Sequence, residues 1–385
     1  MSDNVTPIRP TSRRWIVYIT VAVCLTVLIL AIVIVAVRND LTDFGAVRRY
    51  FRYRGAVSEE SFGTYSYDAH NGSRFAVYED GLAVATIGGL ELLDDYGVKS
   101  LECRATLSTP SVQTAGDYIL CYDVSGTELI LAHATKGKLL ELEAPAPILD
   151  ASLSTGGAFC YLTAQDGYKA VIPVCNAEQE EVYVWYSAST FFNQCAVSPD
   201  ASSLAAVRIG EEDAAFQSVL NLFATNAETP VASVDLGEQL VYDLCYLSNT
   251  VLCVWGENGL YFFKTDGRAL GSFEPEEQLI DVHTEGSGYV IVWLRSNLAG
   301  SRDRVCALDT DGNVIASIEP DGEMLNLSAG GKYVSVLTTE GLLITDDRLR
   351  TYAVNDDTGA AIRVRQRSDG SALLLTSTTG RLYLP

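Results

Sequence analysis

Eight short apolar runs recur along the chain, each bounded by polar turn residues: LAVA from Leu82, YILCY from Tyr118, AFCYL from Ala158, SLAAV from Ser203, VLCVW from Val251, YVIVWL from Tyr289, YVSVL from Tyr333 and ALLL from Ala372. Successive starts lie 36, 40, 45, 48, 38, 44 and 39 residues apart, a repeat near 41 residues. Each run is too short for a core helix and rich in Val, Leu, Ala and aromatic residues, so it reads as a strand buried on both faces. Asp166-Gly167, Asn258-Gly259, Asp266-Gly267, Asp311-Gly312 and Asp369-Gly370 supply tight turns between neighbouring runs. Every unit is therefore a small antiparallel sheet. Such a sheet cannot cover both of its faces alone, and radial stacking solves this, which predicts an all-β fold: a β-propeller of about eight four-stranded blades, with seven as the alternative if the long fourth unit divides differently.

The stretch VYVWYSASTFFNQCAVSPDASSLAAV fits this scheme. Residues 182–186 read as the outer strand of one blade and 191–197 as the inner strand of the next. Ser198-Pro199-Asp200 then turns into the buried run at Ser203. The last unit has room for three strands, and SFGTYSYD, residues 61–68, is placed to supply the fourth and close the ring.

A different pattern precedes the repeats. Residues 15–37 are 23 consecutive positions without a charge, about 34 Å as a helix, which predicts a transmembrane anchor in contact with the lipid bilayer. The run is longer than a secretory signal's apolar region and lacks a small-x-small cleavage site. Residues 38–60 carry Phe44, Val47 and Phe51 at helical spacing among arginines and read as a basic-aromatic linker helix at the membrane surface. Arg13 and Arg14 stand immediately before the span, and long domains translocate largely regardless of charge, so the expected orientation puts the propeller, residues 61–385, outside the cytoplasm.

Charge narrows the partners. Residues 61–385 hold 19 basic and 44 acidic residues, a net charge of −25. That field repels phosphate backbones, so nucleic acid is not an expected ligand, whereas a protein or glycan partner is. Eight of the nine cysteines lie singly inside apolar stretches of the propeller region and read as reduced core thiols, which argues for a reducing compartment and against the expected orientation.

The order of DGYKAVIPV, EEVYVWYSAS and CAVSPDASSLAAV behind an N-terminal anchor resembles the bacterial domain-of-unknown-function family 5711, over most of residues 40–355. The SPD turn and its flanking strands are similar to repeats of WD40-like and quinoprotein-like propellers. The resemblance implies a propeller and an anchor, and no activity.

No catalytic set emerges. His70, His133 and His283 lack metal-ligand spacing, and no nucleophile elbow, zinc motif, phosphate loop or complete calcium loop occurs. Resemblance to quinone-dependent dehydrogenases would imply adjacent cysteines, which are absent, and no cofactor is expected. One constellation remains: Ser111, Asp150, Asp243, Asp281 and Asn326 each lie eight residues before a point within a buried run. That position starts the inner strand, so these side chains would ring one mouth of the central channel and bind a cation or a basic side chain, or else bond to nearby backbone. Trp185, Tyr186, Phe191 and Phe192 form an aromatic cluster that reads as blade-to-blade packing or as a contact patch. The expected function is a non-enzymatic binding or scaffold module at the cell envelope. The alternatives are an envelope glycan hydrolase or lyase with convergent carboxylates, and a cytoplasm-facing sensor.

Overall fold

The computed structural model describes residues 18–27, 64–67, 74–79, 81–212, 215–296 and 302–385. The chain divides into two units, Met1–Arg54 and Gly55–Pro385. In the first, residues 18–27 are helical. Among the described residues no helix is long and apolar enough to cross a membrane. The rest of 15–37, and all of the expected linker helix at 38–60, lie outside the described residues.

The second unit is an eight-bladed propeller. Its eight sheets each contain four antiparallel strands, and in blades 1 to 7 these follow chain order from the inner to the outer strand. The inner strands are Arg74–Tyr78, Pro110–Ala115, Asp150–Leu153, Phe191–Val197, Val241–Ser248, Gln278–His283, Met324–Gly330 and Arg363–Gln366. All eight apolar runs fall on second strands, as their composition predicts. Val290, Ile291, Val292 and Leu294, for example, are fully buried, each worth about 1.5–3 kcal/mol of transfer free energy. The outer strand Ala232–Gly237 instead alternates, because side chains on one of its faces reach solvent. Apolar clusters fill the seams between consecutive blades from 1 through 8.

The fourth repeat is long for a local reason. Its middle strands, Ser203–Glu212 and Ala215–Ala224, run for ten residues each, so one hairpin projects and no extra blade is inserted. The SPD turn before it is held by Asp200, whose Oδ1 accepts hydrogen bonds from Ser198 Oγ at 2.7 Å, Ser202 N at 3.1 Å and Ser202 Oγ at 2.7 Å.

Closure comes from the start of the unit. Tyr65–Ser66 pairs antiparallel with Thr379–Tyr383 and becomes the outer strand of blade 8. The described pairing is shorter than the 61–68 expected. Side chains reinforce it: fully buried Tyr65 donates from Oη to the Asp95 carbonyl at 2.8 Å, and Tyr67 Oη donates to the Thr379 carbonyl at 2.7 Å. On the adjoining seam Tyr67 meets Phe75 at 4.9 Å between ring centroids, and Arg365 Nε donates to the Phe75 carbonyl at 3.0 Å.

Gly259 opens the third strand of blade 5 with φ of +146°, and a Cβ there would lie 2.1 Å from the Phe273 carbonyl oxygen of the outer strand. Backbone strain and clash act together, so Gly259→Ala is expected to cost about 2–4 kcal/mol, read as a lower urea midpoint. Gly167, with φ of +87° and nothing within 4 Å of its Cβ position, isolates the conformational part, and Gly167→Ala should cost only about 1 kcal/mol.

Candidate functional site

The five residues singled out from the sequence do share one structural position. Ser111, Asp150, Asp243, Asp281 and Asn326 pair across to Tyr122, Leu162, Trp255, Trp293 and Leu337, the fifth residue of each five-residue buried segment. The same register places Arg74 opposite Ala85, Gln194 opposite Val207 and Arg363 opposite Leu375. These complete a ring of eight polar residues near the end where the inner strands begin. A fixed eight-residue offset misses Gln194 because the SPD turn lengthens its hairpin. A search for small polar side chains passes over the two arginines.

Two members of this ring stitch blades together. Asp150 Oδ2 accepts the Cys195 N–H of the next blade at 2.8 Å, and Asn326 Oδ1 accepts the Val364 N–H of the next blade at 2.9 Å. Asp243 and Asp281 instead accept the following N–H of their own strand, from Leu244 at 2.7 Å and Val282 at 3.0 Å. One turn of the pleat further on, Gln113 Nε2 donates to the Ala151 carbonyl at 2.8 Å while its Oε1 accepts from Leu153 N at 3.0 Å. Short polar side chains at the start of an inner strand thus satisfy main-chain groups that no sheet neighbour reaches.

Electrostatics set a second feature apart. Asp281, His283 and Glu285 alternate along one extended segment, and the imidazole bridges both carboxylates, Nε2 to Asp281 Oδ2 at 3.2 Å and Nδ1 to Glu285 Oε2 at 3.3 Å. Burial opposes protonation of His283, yet the flanking carboxylates outweigh it and raise its pKa to about 9. Burial also raises Asp243 to about 7, with the Glu285 charge adding to it. Asp150 is held well above the usual carboxylate range by burial and by the Asp243 charge. For Glu285, burial works against ionisation, but the charge and hydrogen bond of His283 prevail and lower its pKa.

These groups do not form a metal centre: among the described residues no cluster of three or more His, Cys, Asp or Glu side chains is arranged to hold a metal ion. His133 is buried with its ring edge-on to Tyr118 at 4.9 Å, and His70 lies outside the described residues.

The aromatic cluster divides. Phe192 is buried, and Trp185 packs on Phe223 across the seam at 4.5 Å between centroids. Tyr186 and Phe191 are about half exposed, at 47 % and 53 %, with the Tyr168 ring tilted against Tyr186 at 4.9 Å between centroids and the Lys169 ammonium 4.5 Å from the Phe191 ring centroid. Topology puts Tyr168, Tyr186, Phe191 and Phe216 at the end of the ring where inner strands begin, since third strands start and outer strands finish there too. Leu149, Leu240, Tyr242, Leu325 and Ile362 are exposed at the same end. A groove of about 590 Å³ between Thr86–Glu91 and Glu102–Thr106 opens there as well.

Residues 51–352 match the sequence profile of a family of unknown function, DUF5711. Among curated proteins no relative matches the sequence. The propeller of Dos1 superposes with a TM-score of 0.57 at 10 % identity, covering 84 % of this chain and 95 % of that one. The C-terminal WD40 domain of Sif2 gives 0.55 at 14 % identity, covering 84 % and 99 %. BamB from Moraxella catarrhalis gives 0.48 at 15 % identity, covering 83 % and 98 %. At these identities the likeness to Dos1 and Sif2 is one of fold alone.

Proposed function

We propose that this chain, which belongs to the family of unknown function DUF5711, is a non-enzymatic binding and scaffold module, held at the cell membrane by residues 15–37 with its propeller outside the cytoplasm. One observation carries the reading: four exposed aromatic side chains, Tyr168, Tyr186, Phe191 and Phe216, lie on adjacent blades 3 and 4 at the end of the ring where the inner strands begin, on a strongly acidic domain. Surface of that kind marks protein contact, and Tyr and Phe anchors supply most of the energy in such contacts. The partner is accordingly a protein of the cell envelope. Asp150 and Asp243, the carboxylates a glycan hydrolase would draw on, each spend an oxygen on a main-chain amide, which favours the binding role over hydrolysis.

Photo-crosslinking in intact cells tests this directly. A crosslinking residue at Tyr186 or Phe191 should capture a discrete protein, whereas one at Val354, exposed on an outer strand, should not. The double variant Tyr186→Ala, Phe191→Ala should weaken capture at least tenfold with an unchanged melting temperature, at about 1–2 kcal/mol per anchor. Equal capture from both surfaces would refute the assignment of the face. Protease added to intact cells should digest the propeller, and a protected propeller would favour the cytoplasm-facing sensor.

A further inference from the structure

Two thiols far apart in sequence meet across a blade seam. Cys160, on the second strand of blade 3 (Phe159–Gln165), and Cys195, on the inner strand of blade 4 (Phe191–Val197), have their Sγ atoms 3.6 Å apart, with the Cys160 thiol donating to the Cys195 sulfur. Both are buried, at 0 % and 1 % exposure. The contact is positioned by more than apolar packing. The Asp150 carboxylate, on the same blade as Cys160, takes the main-chain N–H of Cys195 itself, so one blade grips the other at the residue whose sulfur it touches.

We infer that Cys160 and Cys195 are a disulfide-forming pair that staples blade 3 to blade 4 when the chain folds under oxidising conditions. Bond formation needs the sulfurs to close from 3.6 Å to about 2.05 Å, an approach of about 1.5 Å. With a glutathione-type disulfide as oxidant, one cysteine thiolate attacks a glutathione sulfur and expels a glutathione thiolate. The second cysteine thiolate then attacks the protein sulfur of that mixed disulfide and expels the other. Two protein thiols are oxidised, one small disulfide is reduced to two thiols, and the two protons released by the cysteines end on them. Burial and the neighbouring thiol push Cys195 well above its ordinary pKa, so the reaction belongs to the assembling ring, before the seam closes. This inference is independent of the proposed contact face.

The test uses the full chain, unfolded in urea with detergent and refolded either with reduced and oxidised glutathione or with reductant alone, then alkylated and mapped by mass spectrometry. A Cys160–Cys195 linked peptide in most folded molecules of the first sample, none in the second, and a higher urea midpoint that reverts on reduction are expected. Cys195→Ala should abolish both the link and the midpoint difference. Alkylation of the wild-type thiols reads the same point if that variant does not fold. Recovery of Cys160 and Cys195 as free thiols after oxidative refolding, or their linkage to other cysteines, overturns the inference.

Discussion

Arg367→Ala is expected to lower the unfolding free energy by about 3–5 kcal/mol. Arg367 is fully buried, sits over the Tyr65 ring at 5.9 Å, and donates from Nη2 to Tyr65 Oη at 2.7 Å. It therefore ties the closing strand to the turn between the inner and second strands of blade 8. Truncation removes this tie and leaves a cavity beneath Tyr65. Urea unfolding reads the loss, and hydrogen exchange should show it first at Tyr65–Ser66 and Thr379–Tyr383. Tyr65→Phe keeps the packing and loses only the hydroxyl bonds, so a cost nearer 1 kcal/mol separates the two contributions. Equal stability of Arg367→Ala and wild type would mean that the latch is not held by this residue.

Stability should fall as pH rises from about 4 to 9, and Asp243→Asn should remove a large part of the acidic half of that fall, with buried Asp150 supplying the remainder. In the folded ring Asp243 keeps its proton up to about 7, whereas the unfolded side chain loses it near 3.8. The native state thus binds more protons across that window, and its stability declines with pH. His283 continues the trend: its contribution is complete below 6.5 and disappears as pH passes about 9. Glu285, with its pKa lowered, acts oppositely, and its contribution is lost as pH falls through the carboxylate range. Asparagine can still accept the Leu244 N–H without the charge. The variant should match wild type near pH 4 and exceed it by about 4 kcal/mol at pH 8. Parallel melting-temperature profiles for the two proteins would rule out Asp243 as the titrating group.

What could be read from the chain before its structure follows from the length scale of each signal. Burial on both faces is written into single strands, so runs such as VLCVW and YVIVWL announce the second strands without any tertiary knowledge. Turn chemistry is equally local, and Asp266-Gly267 and Asp311-Gly312 are hairpins as expected. Closure by residues near 65 was visible as a missing strand. Contacts across seams were not, because adjacent blades meet at spacings that vary with turn length. Cys160 and Cys195 carry no pattern that links them, and Glu285 and Gln194 acquire their places only from register. Asp150 and Asn326 were found by position, but their partners, the N–H groups of Cys195 and Val364, belong to a neighbouring sheet that no periodicity names.

The closing strand also sets a clock for biosynthesis. Tyr67 binds the carbonyl of Thr379, 312 residues further along the chain. At about 5–20 residues per second, a ribosome needs roughly 15–60 s to make that stretch. During this interval blades 1 to 7 emerge one after another while the first-made strand has no partner, and the growing arc has a free edge at each end. Chaperone occupancy on the emerging chain should therefore persist until residues 379–383 leave the exit tunnel, and drop sharply once they do.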